Sequence, residues 1–368
     1  MQALDVSMRL AARGHRVTLA CVPGTRLAGA AADVGLARVE LDMRGYLDLG
    51  AAWRLAGWLR AHRPDVAHSQ HSRDLAAVVP ALAMAGSRAP LLLSKRMGSY
   101  VAKKDPYHRM LYARVAKVLA ISEVIRRNVI DTTPVPPAQV APLHDAVDAG
   151  RFSPGACDRV AARRALGYPG DELVVGMLGR FSPGKGHEEF LDAAARLART
   201  HPVVRFVVVG EASHGEAGYE REIRARAEAL GLDGTPRFAG FRPDVPEVLR
   251  ALDILAFPSH AEAFGVVLIE AMAMELPVVS TNCDGVLDIV VDGETGLYVP
   301  PRDGAALAAA IARLAADPLM RARMGRAGRQ RVLERFDDIH QTLAIERFYD
   351  QALGREPAPG AEHVGAGT

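Results

Sequence analysis

Short apolar runs alternate with amphipathic stretches along most of this chain, and that alternation restricts the fold more than any other feature. Runs too short for helices, separated by helical patterns, are the signature of parallel strands joined by crossover helices. In the first half the strand candidates are residues 17–22, 66–69, 91–94, 118–121 and 140–143, with helices such as Leu49–His62 between them. In the second half they are residues 174–178, 205–209, 236–240, 254–257, 278–281 and 296–299. The chain is therefore read as α/β. At 368 residues it exceeds the ~250 to 300 residues at which a single core usually stops growing, so two domains are expected.

The periodicity lapses between Asp145 and Arg163, where Gly150, Pro154 and Gly155 punctuate the stretch, and the linker is placed there. This gives a first domain over residues 1–150 and a second over 151–336, with a helix over about 337–353 packing back on the first. Residues 355–368 are rich in Gly, Pro and Ala, with little to bury, and are expected to be disordered. Residues 2–12 read as a helix that precedes the strand at 17–22. A doubly wound domain entered in this way would lack its first, central strand.

Lys plus Arg number 45 against 43 Asp plus Glu, so no strong overall field favours nucleic acid or an anionic surface. Cys21, Cys157 and Cys283 are odd in number and widely spaced, which suggests neither a disulfide framework nor a zinc site and fits a reducing cytoplasm. The longest apolar run, residues 75–86, is shorter than the ~20 residues of a membrane span and reads as a buried helix.

Two constellations carry chemistry. The first is Gly179-Arg180-Phe181-Ser182-Pro183-Gly184-Lys185-Gly186-His187, between a strand and a helix. Glycines allow close backbone approach, a helix start offers amides to an anion, and Arg180 and Lys185 add two charges suited to a diphosphate. Alone, the segment is equally compatible with a strand-to-helix turn bearing solvated bases, and its spacing is neither that of a P-loop nor GxGxxG.

The second constellation runs from Ser259 to Ala273. It places Glu262 in a loop and Glu270 on an apolar helix that begins near Gly265. Amides at Gly265 and Val266 could take a phosphate, while Glu270 could accept hydrogen bonds from vicinal hydroxyls such as those of a ribose. Two glutamates at such a spacing are usually unremarkable. Here Glu270 lies among Val267, Leu268, Ile269, Ala271 and Met272, and a carboxylate on a buried face needs a partner.

Together these segments resemble the retaining glycosyltransferases of family four, whose fold is two Rossmann-like domains facing each other across a cleft (the GT-B type). Gly179 to Gly186 resembles the family's phosphate-binding loop, and Glu262 with Glu270 its E-x7-E motif. Residues 238–241, 253–259, 277–281 and 292–297 also match. The resemblance implies that Arg180 and Lys185 hold the donor diphosphate and stabilise its departure, that Glu262 contacts the transferred sugar, and that Glu270 holds the ribose. It further implies that Gly179 and the backbone from Phe264 through Gly265, Val266 and Val267 line the site, with Phe241 and Arg242 near the base. No cofactor and no metal are expected, only a nucleotide-diphosphate sugar as substrate.

The first half is less similar to the family. Residues 64–73 resemble a strand end with an acceptor-facing loop, and on that side His68, His71 and Arg96 are the candidates, with Arg96 where family members often carry a histidine. A lone histidine at a strand end is more often structural than catalytic.

Residues 95–127 carry nine Lys and Arg against Asp105 and Glu123, interleaved with Tyr100, Tyr107, Met110, Leu111 and Tyr112. The segment fits contact with an anionic membrane and a lipid-linked or envelope-glycan acceptor such as lipopolysaccharide, and fits equally a solvated basic helix over the core. No nucleic-acid recognition module accompanies it. The expected location is cytoplasmic, peripheral at the inner face of the membrane. The rival functions are a non-catalytic nucleotide-sugar-binding or scaffold protein and a nucleotide-sugar 2-epimerase.

Overall fold

A computed structural model describes residues 2–42, 48–213, 215–232 and 234–355. The tail expected to be disordered lies, apart from Arg355, outside the described residues. The chain divides into two compact units, one formed by Met1–His144 with the segment from Ile339 onward, the other by Asp145–Asp338.

The first unit contains two parallel sheets. Strands β1 (Leu19–Cys21) and β2 (Arg38–Glu40) pair with each other, while β3 (Ala67–Ser69), β4 (Leu91–Lys95), β5 (Val115–Ala120) and β6 (Val140–Pro142) form a second sheet in that order. Among the described residues no strand joins β1 to β3. β4 is buried over its whole length, its three leucines and also Ser94 and Lys95 at its end, whereas β2 is a three-residue edge strand with an exposed, charged face.

The helix Asp338–Leu353 belongs to this unit. Its Gln341 takes a hydrogen bond from Arg9 at 2.6 Å and gives one to the His144 carbonyl at 2.7 Å. Glu346 pairs with Arg13 at 2.7 Å and His15 at 3.0 Å, which draws its carboxyl below the usual range.

The second unit is one six-stranded parallel sheet. Its strands are β7 (Leu173–Leu178), β8 (Val204–Val209), β9 (Arg237–Phe238), β10 (Ile254–Phe257), β11 (Val278–Thr281) and β12 (Gly296–Val299). They lie in the order β12-β11-β10-β7-β8-β9. Its first strand, β7, is therefore central. The chain winds outward from it through β8 and β9, then returns to its other side with β10. Phe190 and Leu191 on the helix His187–Thr200 are fully buried in one core with Val175 of β7 and Phe206 of β8.

The stretch read as linker is partly helical. Arg159–Leu166 forms a helix capped by Asp158 and closed by Gly167 in the left-handed region. This helix is held by charge as much as by apolar packing. Arg163, 7% exposed, donates to both carbonyls of Gly170 and Glu172 and to Asp253 Oδ2 at 3.2 Å, while Arg159 takes Asp253 Oδ1 at 2.7 Å. Asp253 also accepts the Val174 amide at 2.8 Å, so one carboxylate ties the helix to the entry of β7 and β10. Two turns whose apolar residues are mostly alanine are too short and too small-sided to stand out as a helical period.

The basic stretch 95–127 is not one helix. It comprises the end of β4, a loop, the helix Pro106–Tyr112, β5 and part of the helix Glu123–Thr132. No helix among the described residues is long and apolar enough to cross a membrane.

Candidate active site

In an open parallel sheet the loops at the carboxyl ends diverge where strand order reverses, and the gap between them is the natural ligand site. In the second unit that point lies between β7 and β10. The loop leaving β7 is Gly179 to Gly186, and the loop leaving β10 is Pro258 to Gly265. The two constellations read from the sequence therefore lie side by side.

They are bonded to each other. Lys185 Nζ lies 2.6 Å from Glu262 Oε2, both side chains being largely but not wholly buried. The His260 amide donates to the Gly184 carbonyl at 2.8 Å, and the His260 ring bridges to Glu189 Oε1 at 3.0 Å on the helix that follows the first loop. Gly186 makes this approach possible. Its φ is +83°, and a Cβ there would overlap the Pro258 carbonyl. The helix His187–Thr200 starts directly behind it without a side-chain cap.

Beneath the first loop, His187 is buried and stacks on Phe181 with centroids 4.6 Å apart, and Tyr219 meets its edge at 5.7 Å. Neither ring nitrogen has a hydrogen-bond partner among the described residues, and burial holds the imidazole neutral, down to about 4. Ser182 donates to Glu216 at 2.7 Å and Tyr219 to Glu188 at 2.8 Å. Arg180 reaches across to Ser213 Oγ at 2.9 Å from an exposed position. Its guanidinium is thus loosely held and open to solvent.

The second loop ends at Gly265, with φ +110°, from which the helix Val266–Ala273 begins with no side chain capping its first turn. Val266 and Val267 thus present first-turn amides at the carboxyl edge of the sheet. Phe264 turns inward, 2% exposed, against Phe336, so only its backbone faces the loop. Glu262 is fixed by backbone on both sides, its amide donating to Asp284 at 3.2 Å and its carbonyl accepting from Gly285 at 2.9 Å. Glu270 sits one turn further along the helix, mostly buried. On the outer side of β8, Gly240 accepts the Gly210 amide at 2.9 Å, Phe241 is 59% exposed, and Arg242 is drawn onto Asp244 at 2.8 Å.

His68, His71 and Arg96 belong to the first unit. Both ring nitrogens of His68 are engaged, Nδ1 with the Tyr349 hydroxyl at 2.8 Å and Nε2 with Ser94 Oγ at 2.9 Å, which leaves none for an acceptor. Burial and the charge of Arg96 keep it neutral, down to about 4. Its partner Tyr349 lies 281 positions away, beyond anything sequence spacing could show. His71 is exposed, and its carbonyl accepts from Ser69 Oγ at 2.9 Å. His260 and His187 are the residues that sequence reasoning passed over. Both stand inside the quoted motifs, but their partners are set by tertiary contact.

Residues 158–331 match the glycosyl transferases group 1 and residues 1–151 match Glycosyltransferase Family 4. The chain is 33% identical over 308 residues to the D-inositol 3-phosphate glycosyltransferase of Stackebrandtia nassauensis, covering 82% of this chain and 66% of that one. It spans about two thirds or less of the length of the curated relatives it matches. The crystal structure of a glycosyltransferase from Rickettsia africae ESF-5 superposes with a TM-score of 0.86 at 19% identity, covering 96% of this chain and 94% of that one. Anabaena Alr3699/HepE in complex with UDP and glucose superposes at 0.79 with 22% identity and 94% coverage of each. At these identities the two structures show a shared fold of two Rossmann-like units.

Glu270 has a titration that can be measured. Burial pushes its carboxyl up to about 7, against the opposing charge of Arg151. Between the ordinary value of 4.5 and about 7 the folded chain holds a proton that the unfolded chain has lost, so stability falls as pH rises through that window. The loss amounts to up to about 3 kcal/mol at 1.36 kcal/mol per pK unit. Denaturant unfolding at pH 5 and pH 8 should show a smaller drop for Glu270→Gln than for the parent protein. Equal drops in the two proteins would place the raised titration elsewhere.

Proposed function

Because the chain belongs to the glycosyltransferases of group 1 and family four, we propose that it moves a sugar from a nucleotide-diphosphate sugar to an acceptor with retention. The donor is held by the second unit. The observation that carries this reading is the Lys185–Glu262 pair, which joins the loops leaving β7 and β10.

A diphosphate entering at the first-turn amides of Val266 and Val267 competes with Glu262 for Lys185. The lysine passes to phosphate, and the freed Glu262 carboxylate turns to a hydroxyl of the transferred sugar. As the bond from the anomeric carbon to the diphosphate breaks, negative charge builds on the leaving group. Lys185, carried on the braced loop, and Arg180, which reaches in from the exposed start of the same loop, stabilise it there, and no metal is required for that step. Glu270 accepts the ribose hydroxyls, and the exposed Phe241 offers a ring face to the base. The complexes of the Anabaena protein with UDP and UDP-glucose support a nucleotide-sugar donor.

Lys185→Ala or Arg180→Ala should lower the transfer rate by about 10²- to 10³-fold, the range expected when one preorganised charge stabiliser is removed. Product formation is measured with a panel of nucleotide sugars in EDTA. Unchanged rates in both variants would sink the proposal. Donor binding without transfer to any acceptor would favour the scaffold reading, and isomerised donor formed without acceptor would favour a 2-epimerase.

The first unit supports a location at the inner face of the cytoplasmic membrane, where a lipid-linked or envelope-glycan acceptor would meet it. Asn128 clamps both sides of the Ser99 peptide, at 2.7 and 3.1 Å, in the loop that carries Met97, Tyr100 and Val101 into solvent at 72, 107 and 70% exposure. Met110 on the helix Pro106–Tyr112 is 57% exposed, and Lys103, Lys104 and Arg109 lie in the same stretch. An ordered loop that holds apolar side chains in water among cations complements an anionic lipid interface. Cosedimentation with vesicles containing phosphatidylglycerol should be strong at low salt and fall at least tenfold in Lys103→Glu/Lys104→Glu. Equal binding to neutral vesicles would contradict a membrane role for this face.

A further inference from the structure

Lys95 is the last residue of β4 and is 8% exposed. Side chains alternate along a strand, so Lys95 and Ser94 point to opposite faces of the sheet. Ser94 and His68 share one face, bonded to each other and, through His68, to Tyr349. Lys95 is on the other face, at the carboxyl end of the strand.

Its only hydrogen bond among the described residues is a long one, 3.5 Å to Ser72 Oγ in the loop that leaves β3. No carboxylate among the described residues lies within ion-pair distance of Nζ. Asp74 is in the same loop, but burial pushes its carboxyl up, and the charges acting on it come from His71 and Arg73 rather than from Lys95. Burial and the like charge of Lys103 are both unfavourable to Lys95 and push the ammonium down to about 8.

A buried ammonium without a counter-charge is expensive, and replacing it with an apolar residue of similar length commonly costs nothing or stabilises the fold. Lys95 therefore adds nothing to folding that a methionine could not. Its placement is that of a ligand residue: the carboxyl edge of adjacent parallel strands β3 and β4, under a loop whose Ser72 is only half covered.

We infer that Lys95 and Ser72 form a binding site for an oxyanion group, a phosphate or carboxylate carried by the acceptor. The inference rests on the proposed transfer reaction for the word acceptor, and on the geometry alone for the anion. The ammonium supplies a compact point charge and the Ser72 hydroxyl a second donor, which together suit a monodentate phosphate or carboxylate oxygen. The like charge of Lys103 adds to the positive potential that an anion at Lys95 would meet.

The test uses the whole chain with UDP at saturation, so that Arg180 and Lys185 are already occupied. Inorganic phosphate is titrated at constant ionic strength with thermal unfolding as the readout, since a ligand that binds only the folded state raises apparent stability. The parent protein should gain stability with phosphate. Lys95→Met should match or exceed the parent's stability without phosphate and lose the phosphate response at least tenfold in apparent affinity, while Lys95→Arg recovers part of it. No phosphate response in the parent, or an equal response in Lys95→Met, overturns the inference. Failure of UDP itself to stabilise the parent protein would count against the donor site instead, so the two readings fail separately. In transfer assays Lys95→Met should raise KM for a phosphorylated or carboxylated acceptor far more than it lowers kcat. Equal loss with a neutral acceptor also overturns the inference.

Discussion

The reversal of strand order at β7 and β10 is the constraint on which the second unit's chemistry depends. Two adjacent parallel strands whose connections run to opposite sides leave a gap at their carboxyl ends, and no backbone from a neighbouring crossover fills it. The diphosphate contacts proposed above follow from what the sequence places in that gap. Glycines at 184, 186 and 265 take positive φ so that the backbones come close. One lysine meets one glutamate across it, and a helix starts on each side. Neither loop would be a site alone.

Contacts beneath and beside these loops hold them in place. His187 stacked on Phe181, Tyr219 bonded to Glu188, and His260 spanning from Gly184 to Glu189 fix the backbone on which Lys185 and Arg180 are carried. Electrostatic stabilisation of a leaving group depends on such contacts, because a loop that had to be ordered during the reaction itself would lose most of the advantage of its charges.

The second unit was legible in the sequence because its strands are largely buried and read as apolar runs, and because its two loops carry their charged and glycine residues close together. Glu270 stood out as a carboxylate on an apolar helix face, and its raised titration agrees with that burial. Legibility failed where stability comes from distant polar contact. The helix Arg159–Leu166 is only eight residues long, three of its apolar residues are alanine, and it is fixed by Asp253, so the sequence showed only a lapse in periodicity. β2 is short, charged and exposed on one face, and was absent from the strands expected. The expected strand at 236–240 is reduced to β9, two residues long, because Gly240 turns out of the sheet with positive φ. His68 read as an acceptor candidate from its position, yet the fold spends both of its nitrogens on Tyr349 and Ser94.

The central claim is that the loops leaving β7 and β10 form one diphosphate site in which Lys185 changes partner. A crystal structure of this chain with a nucleoside diphosphate tests it most directly. Phosphate oxygens are expected at the amides of Val266 and Val267, with Lys185 Nζ moved from Glu262 onto the diphosphate and Glu270 bonded to the ribose. A nucleotide bound elsewhere, or one bound there with Lys185 still paired to Glu262, would contradict it.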